Sequence, residues 1–132
     1  MRKTLLYDEV VSLETAVLAK TAGFDADCKV CPLYYCVFEG QVIISPNPCP
    51  NLCRIICMAP TQPLLQRWLR EEKKVEVYVR HFEETNKYPH HFGTIITGDK
   101  GKALEIGGKM FDTYELALED ALKYALENLV LL

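Results

Sequence analysis

The feature that most constrains the fold is a long amphipathic pattern near the end of the chain. Residues 113–129, TYELALEDALKYALENL, place apolar side chains three and four positions apart, which is the spacing of one face of an α-helix. Asp112 or Thr113 can cap its first turn. The pattern predicts a helix that buries one side, and this apolar stripe comprises Tyr114, Ala117, Leu118, Ala121, Leu122, Ala125 and Leu129.

Two shorter helices are predicted upstream. The first spans about 12–22, with Ser12 as its cap and Gly23 as its stop, because glycine readily adopts the left-handed conformation that ends helices. The second is TQPLLQRWLREEK, residues 61–73, with Pro63 in the first turn, where no amide hydrogen is missed. The apolar face of this second helix comprises Leu64, Leu65, Trp68 and Leu69.

Strand patterns fill the intervals between the helices. Residues 34–45 are typical of a hairpin that turns at Glu39 and Gly40. A strand is predicted over VEVYVRHF, residues 75–82, because Val75, Val77 and Val79 alternate with Glu76, Tyr78 and Arg80, as in a strand with one buried face. Two further strands are predicted over HFGTIIT and KALEI.

The element order from residue 61 onward is helix, three strands, helix. This order predicts an antiparallel meander with both helices on one face. The predicted fold is α+β, an antiparallel sheet of about three strands plus an extra hairpin, packed by three helices. At 132 residues, the chain has the length of a single domain, 1–132. A domain of this size can bury a hydrophobic core without the support of disulfides or metals.

Charge and hydropathy narrow the classes of function. The net charge of −3, from 18 acidic and 15 basic residues, disfavours a dedicated nucleic-acid binder. No apolar run approaches the roughly 18 residues of a membrane-spanning helix. Asp8, Glu9 and Glu14 interrupt the apolar part of the basic N-terminal segment, which disfavours a signal peptide. We therefore expect a cytoplasmic protein with no membrane partner.

Six cysteines raise the main chemical question. Without export, thiols or metal ligands are favoured over disulfides. Cys28 and Cys31, followed by Cys49 and Cys53, approximate the two knuckles of a zinc ribbon. The second pair has one residue too many for the usual knuckle and contains Pro50. No cofactor is the expectation, and Zn²⁺ held by these four cysteines is the alternative.

A role in core packing is predicted for the other two cysteines of these segments. Cys36 and Cys57 lie in the apolar runs YYCVF and RIICM, and we expect them in the core, because free cysteine packs as a small hydrophobe. A redox role for Cys28 and Cys31 is disfavoured, since a reactive CxxC motif places its first cysteine at a helix N-terminus. Here Pro32 and a predicted strand follow.

The three histidines complete the candidates for catalysis. His81, His90 and His91 could be ligands or bases, although histidines on surfaces or sheet edges are more common. The residues that an enzyme could use are Cys28, Cys31, His90 and His91. A Cys–His pair also needs an orienting group and an oxyanion site, and the sequence indicates neither. We expect no enzymatic activity.

Three sequence motifs are similar to those of a known protein family. They are SLETAVLAKTAGFDADC at 12–28, APTQPLLQRWLREE at 59–72 and TYELALEDALKYALENL at 113–129. In this order they resemble a family of small, mostly uncharacterised proteins of Bacteroidetes-type gut bacteria and their phages. The resemblance implies a single α+β domain, often encoded on mobile or phage-like DNA, with no established activity. It therefore transfers no functional residue.

The expected function is binding rather than catalysis, with another protein as the partner. The apolar end, Leu129 to Leu132, either finishes the core or supports a homodimer. One alternative is a nucleic-acid-binding regulator, with or without the cysteine-rich zinc module, but acidic residues at the start of the last helix would repel phosphate. Another is an antitoxin-like protein, because DTYELALEDA resembles the helix that follows the strands in such domains.

Overall fold

The computed structural model describes residues 9–27, 29–46, 53–81, 92–98, 103–105 and 110–130. The helices of these ranges are α1 (Leu13–Thr21), α2 (Gln62–Glu72) and α3 (Tyr114–Ala125), which a π-helical turn, Leu126–Val130, continues. The strands are β1 (Leu33–Phe38), β2 (Gln41–Pro46), β3 (Arg54–Met58), β4 (Glu76–His81), β5 (Phe92–Thr97) and β6 (Ala103–Glu105). They form two antiparallel sheets, ordered β2-β1-β3 and β4-β5-β6. The α+β prediction is confirmed.

The chain divides into two compact units, Met1–Thr61 and Gln62–Leu132. The first unit contains α1 and the β2-β1-β3 sheet, and the second contains α2, α3 and the β4-β5-β6 sheet. The assignment of 1–132 to a single domain stays a prediction. Within the described ranges, no helix is long and apolar enough to cross a membrane.

Both ends of α1 follow from local chemistry. The Ser12 hydroxyl accepts a hydrogen bond from a first-turn amide at 3.2 Å, as a cap does. Gly23 has a φ of +100°, and its amide donates to the Lys20 carbonyl at 3.0 Å. The Phe24 amide donates to the Ala19 carbonyl at 2.9 Å. This pair of bonds is a Schellman motif, so the predicted cap and stop are both confirmed.

The first sheet is built on the predicted hairpin. Glu39 and Gly40 have φ values of 51° and 77°, and positive φ at both central residues defines the turn that suits a tight hairpin. The third strand, Arg54–Met58, was not predicted. Its pairing with β1 shifts by one residue, so that Ile56 has no partner. This β-bulge breaks the alternation of side chains that would have identified a strand.

The second sheet is the predicted meander, and helices cover one of its faces. Val77 of β4 pairs with Ile96 of β5, and both side chains are buried. α3 contacts β4 and β5, while α2 contacts β4 and α3. The buried Gln62 side chain joins the two helices, because its Nε2 donates to the Glu115 carbonyl at 2.9 Å and to Glu119 Oε1 at 3.2 Å.

The apolar stripe of the last helix is confirmed at Ala117, Leu118, Ala121, Leu122 and Ala125, which are all buried. Its first member is an exception, because Tyr114 is 43% exposed. Tyr114 is the first residue of α3, and its ring packs edge-on against Phe92 rather than into the core. The Leu129 side chain and residues 131–132 lie outside the described residues.

The burial along α3 predicts a large difference in stability between two leucines. Leu122→Ala should lower the free energy of unfolding by about 2–5 kcal/mol, because it empties a fully buried site. Leu116→Ala, on the same helix at a site 55% exposed, should change it by about 0.5 kcal/mol or less. Urea unfolding of both variants gives the comparison. Equal losses would contradict the orientation of α3.

Candidate functional site

The structure describes two of the four proposed zinc ligands, Cys31 and Cys53. Cys28 and Cys49 lie outside the described residues. Cys31 is a buried free thiol that donates to the Leu33 carbonyl, with 3.8 Å between sulfur and oxygen. Cys53 is disulfide-bonded, and its partner lies outside the described part, because the other described cysteines are free. The preference for thiols or metal ligands over disulfides is therefore wrong at Cys53.

A disulfide and a zinc ligand are alternative states of Cys53, because Zn²⁺ binds the thiolate. In the described part of the chain, no group of three or more His, Cys, Asp or Glu side chains could hold a metal ion. The zinc hypothesis stays a prediction, because two of its four ligands fall outside that part.

The core role predicted for Cys36 and Cys57 is confirmed, since both are buried free thiols. Burial raises the pKa of the Cys31, Cys36 and Cys57 thiols. At Cys57, the ammonium of Lys20 opposes part of this rise in pKa. The thiolate is the reactive form, so burial works against nucleophilic chemistry at these three positions.

Of the three histidines, the structure describes His81, the last residue of β4. Its ring packs against Phe92 with the ring centres 5.0 Å apart. His90 and His91 lie outside the described residues, as does Cys28. Of the residues proposed for an enzyme, only Cys31 is described, so the proposed catalytic group cannot be assembled from the described part.

The first candidate site is an aromatic cluster in the second unit, made of His81, Phe92 and Tyr114. Phe92 is its centre, because its ring also meets Tyr114 edge-on at 6.4 Å between ring centres. The backbones of Phe92 and Phe111 exchange two hydrogen bonds of 3.0 and 3.1 Å. These bonds hold the end of the sheet next to the start of α3.

Large apolar side chains near the cluster in sequence are open to solvent. Tyr114 and Met110 are each 43% exposed, and Leu116 is 55% exposed. The sequence signal for this site was weak, because Tyr114 falls on the helical stripe and is expected to be buried. In the structure, Tyr114 instead packs on Phe92 and stays partly open to solvent.

The second candidate site is a pocket of about 330 Å³ in the first unit. Its walls come from α1, from the segment that follows α1, and from β1 and β3. The wall is mainly apolar and includes Phe24, Ile55 and Met58. Concave apolar pockets of roughly 300–1,000 Å³ with a few polar groups are typical of small-molecule sites.

Among the described residues, one amine lines this pocket, and the bulge in β3 supplies its hydrogen-bond acceptor. Lys20 Nζ of α1 donates to the carbonyl of Ile56, the unpaired residue, at 3.0 Å. Both residues line the pocket, and Tyr34 and Asp25 supply its other polar side chains. The sequence could not reveal this arrangement, because it depends on where α1 crosses β3.

Comparison with known proteins adds no assignment, since no family model, curated protein or solved structure matches the chain. The resemblance to the family of gut bacteria and phages therefore stays a prediction. The two candidate sites are supported by their geometry alone.

The burial of the thiols predicts a specific pattern of alkylation. In native protein treated with iodoacetamide, Cys31, Cys36 and Cys57 should stay unmodified, because burial shields them and raises their pKa. Cys53 should be modified only after reduction. Peptide mass spectrometry before and after unfolding, with elemental analysis of the same sample, gives the result. Stoichiometric zinc together with a reduced Cys53 would contradict the disulfide and support the zinc module.

Proposed function

We propose that this protein is a non-enzymatic binding protein that recognises another protein through the exposed side of the aromatic cluster. The observation that carries the proposal is the half-exposed Tyr114, packed on Phe92 and close in sequence to the exposed Met110. Large apolar side chains that stay in contact with water in a folded protein often mark interaction surfaces.

The chemistry of the cluster favours a protein partner. Tyrosine and methionine are enriched at the cores of protein interfaces, and a few aromatic anchors supply most of the binding energy. The Tyr114 ring offers an apolar face and a hydroxyl that can reach a polar group of the partner.

The backbone around the cluster is held before any partner arrives. Phe92 and Phe111 share two backbone hydrogen bonds, and the Thr113 hydroxyl caps α3 by accepting from the Leu116 amide at 3.1 Å. Binding costs less when a surface is already ordered, because fewer side chains and loops lose freedom. The cluster is therefore suited to act as an anchor.

Charge favours a protein over a nucleic acid at this surface. Asp112 and Glu115 flank Tyr114 and are both exposed, and the whole chain carries a net charge of −3. Exposed aromatic rings can stack on bases, but single-strand binders combine stacking with a positively charged groove. Binding to DNA or RNA that weakens steeply with salt would contradict this part of the proposal.

The proposal includes a cytoplasmic location and, through the family resemblance, an origin in mobile or phage-like DNA. The disulfide at Cys53 argues against the location, because cytosolic thiols are normally kept reduced.

The partner is proposed to be a different protein, and a homodimer through the same surface is the competing outcome. Sedimentation of the purified chain over a range of concentrations distinguishes the two.

A matched pair of tyrosine variants tests the surface. Tyr114→Ser should weaken partner binding by about thirtyfold, the effect of removing an interface anchor. Tyr78→Ser is the control, because Tyr78 is 47% exposed in the same unit. Strand alternation places Tyr78 on the opposite face of β4 from His81. Quantitative affinity purification from host cells identifies proteins retained by the wild type and the control but lost with Tyr114→Ser. Equal retention by both variants would contradict the proposed surface.

A further inference from the structure

The pocket of the first unit has a fixed cation at its wall. Lys20 is exposed, yet its Nζ is held by the Ile56 carbonyl. An ammonium group has three donors, and this contact uses one of them, so two remain for a ligand. The ammonium also lowers the pKa of the Cys57 thiol against the effect of burial, which indicates that its field reaches the inner wall.

The acidic side chain that lines the pocket, Asp25, lies outside the helix that carries Lys20. Asp25 is exposed and follows the end of α1, whereas the Lys20 ammonium is tied to the strand that forms the wall. Among the described residues, no ion pair joins these two side chains. Of these two exposed charged groups, the Lys20 ammonium is the one that is hydrogen-bonded to the pocket wall.

The apolar wall determines what the rest of a ligand must be. Phe24 and Cys57 are buried, and Ile55 and Met58 are partly exposed. The Met58 sulfur accepts a hydrogen bond from the Ala26 amide at 3.4 Å, which fixes this side chain at the wall. A volume of about 330 Å³ is at the small end of the range for ligand sites. A compact apolar body fits such a wall.

We propose that this pocket binds a small carboxylic acid, with its apolar body against Phe24 and Met58 and its carboxylate at Lys20 Nζ. An ammonium–carboxylate hydrogen bond is about twice as strong as a neutral one. The site is independent of the aromatic cluster, which lies in the other unit, so either proposal can fail alone.

Methionine methyl groups report occupancy of the pocket directly. The chain has three methionines, Met1, Met58 and Met110, so ¹³C-methyl labelling yields few signals, and Met58→Leu assigns the one in the pocket. Octanoate should shift the Met58 methyl signal in a saturable way and leave that of Met110 unchanged. Octan-1-ol, with the same chain but no charge, should bind about tenfold more weakly.

Lysine variants test the role of the cation. Lys20→Met should reduce octanoate affinity to that of octan-1-ol, while Lys20→Arg, which keeps the charge and a donor, should retain most of it. Lys29→Met is the control, because it removes the same charge from an exposed residue outside the pocket lining. The proposal is overturned if octanoate leaves the Met58 signal unchanged, if octan-1-ol binds equally well, or if Lys29→Met has the effect of Lys20→Met.

Discussion

Burial of one sheet face beneath a helix is the constraint on which both units depend. A three-stranded sheet is stable only when its apolar face is removed from water. In the second unit, α2 and α3 provide this cover, and Val77 and Ile96 are buried as a pair. In the first unit, α1 contacts β3. The pocket of the first unit is walled by α1 together with β1 and β3, so the packing that closes this core also forms the pocket.

Local irregularities of the backbone place the functional groups within this frame. The bulge at Ile56 leaves a strand carbonyl unpaired, and Lys20 reaches across from α1 to satisfy it. Bulges often redirect side chains beside binding sites, and here one brings a cation to an apolar wall. At the other site, the bridge between Phe92 and Phe111 brings the end of the sheet to the first turn of α3.

The parts of the fold that depend on local sequence were predictable. The caps of α1 and α3, the stop at Gly23 and the hairpin turn each rest on a few neighbouring residues. β3 was missed because its bulge removes the alternation that marks a strand. The two candidate sites could not be predicted, since each depends on residues that are distant in sequence. Tyr114 shows the difference most clearly, because its helical spacing indicates the core while its contact with Phe92 places it at the surface.

We propose that the exposed side of the aromatic cluster meets a partner protein. The most direct measurement is site-specific photocrosslinking in the native host, with a benzophenone amino acid at position 114 and, separately, at position 78. We expect a defined protein adduct from position 114 and none of that identity from position 78. The same adduct from both positions, or an adduct from position 78 alone, would contradict it.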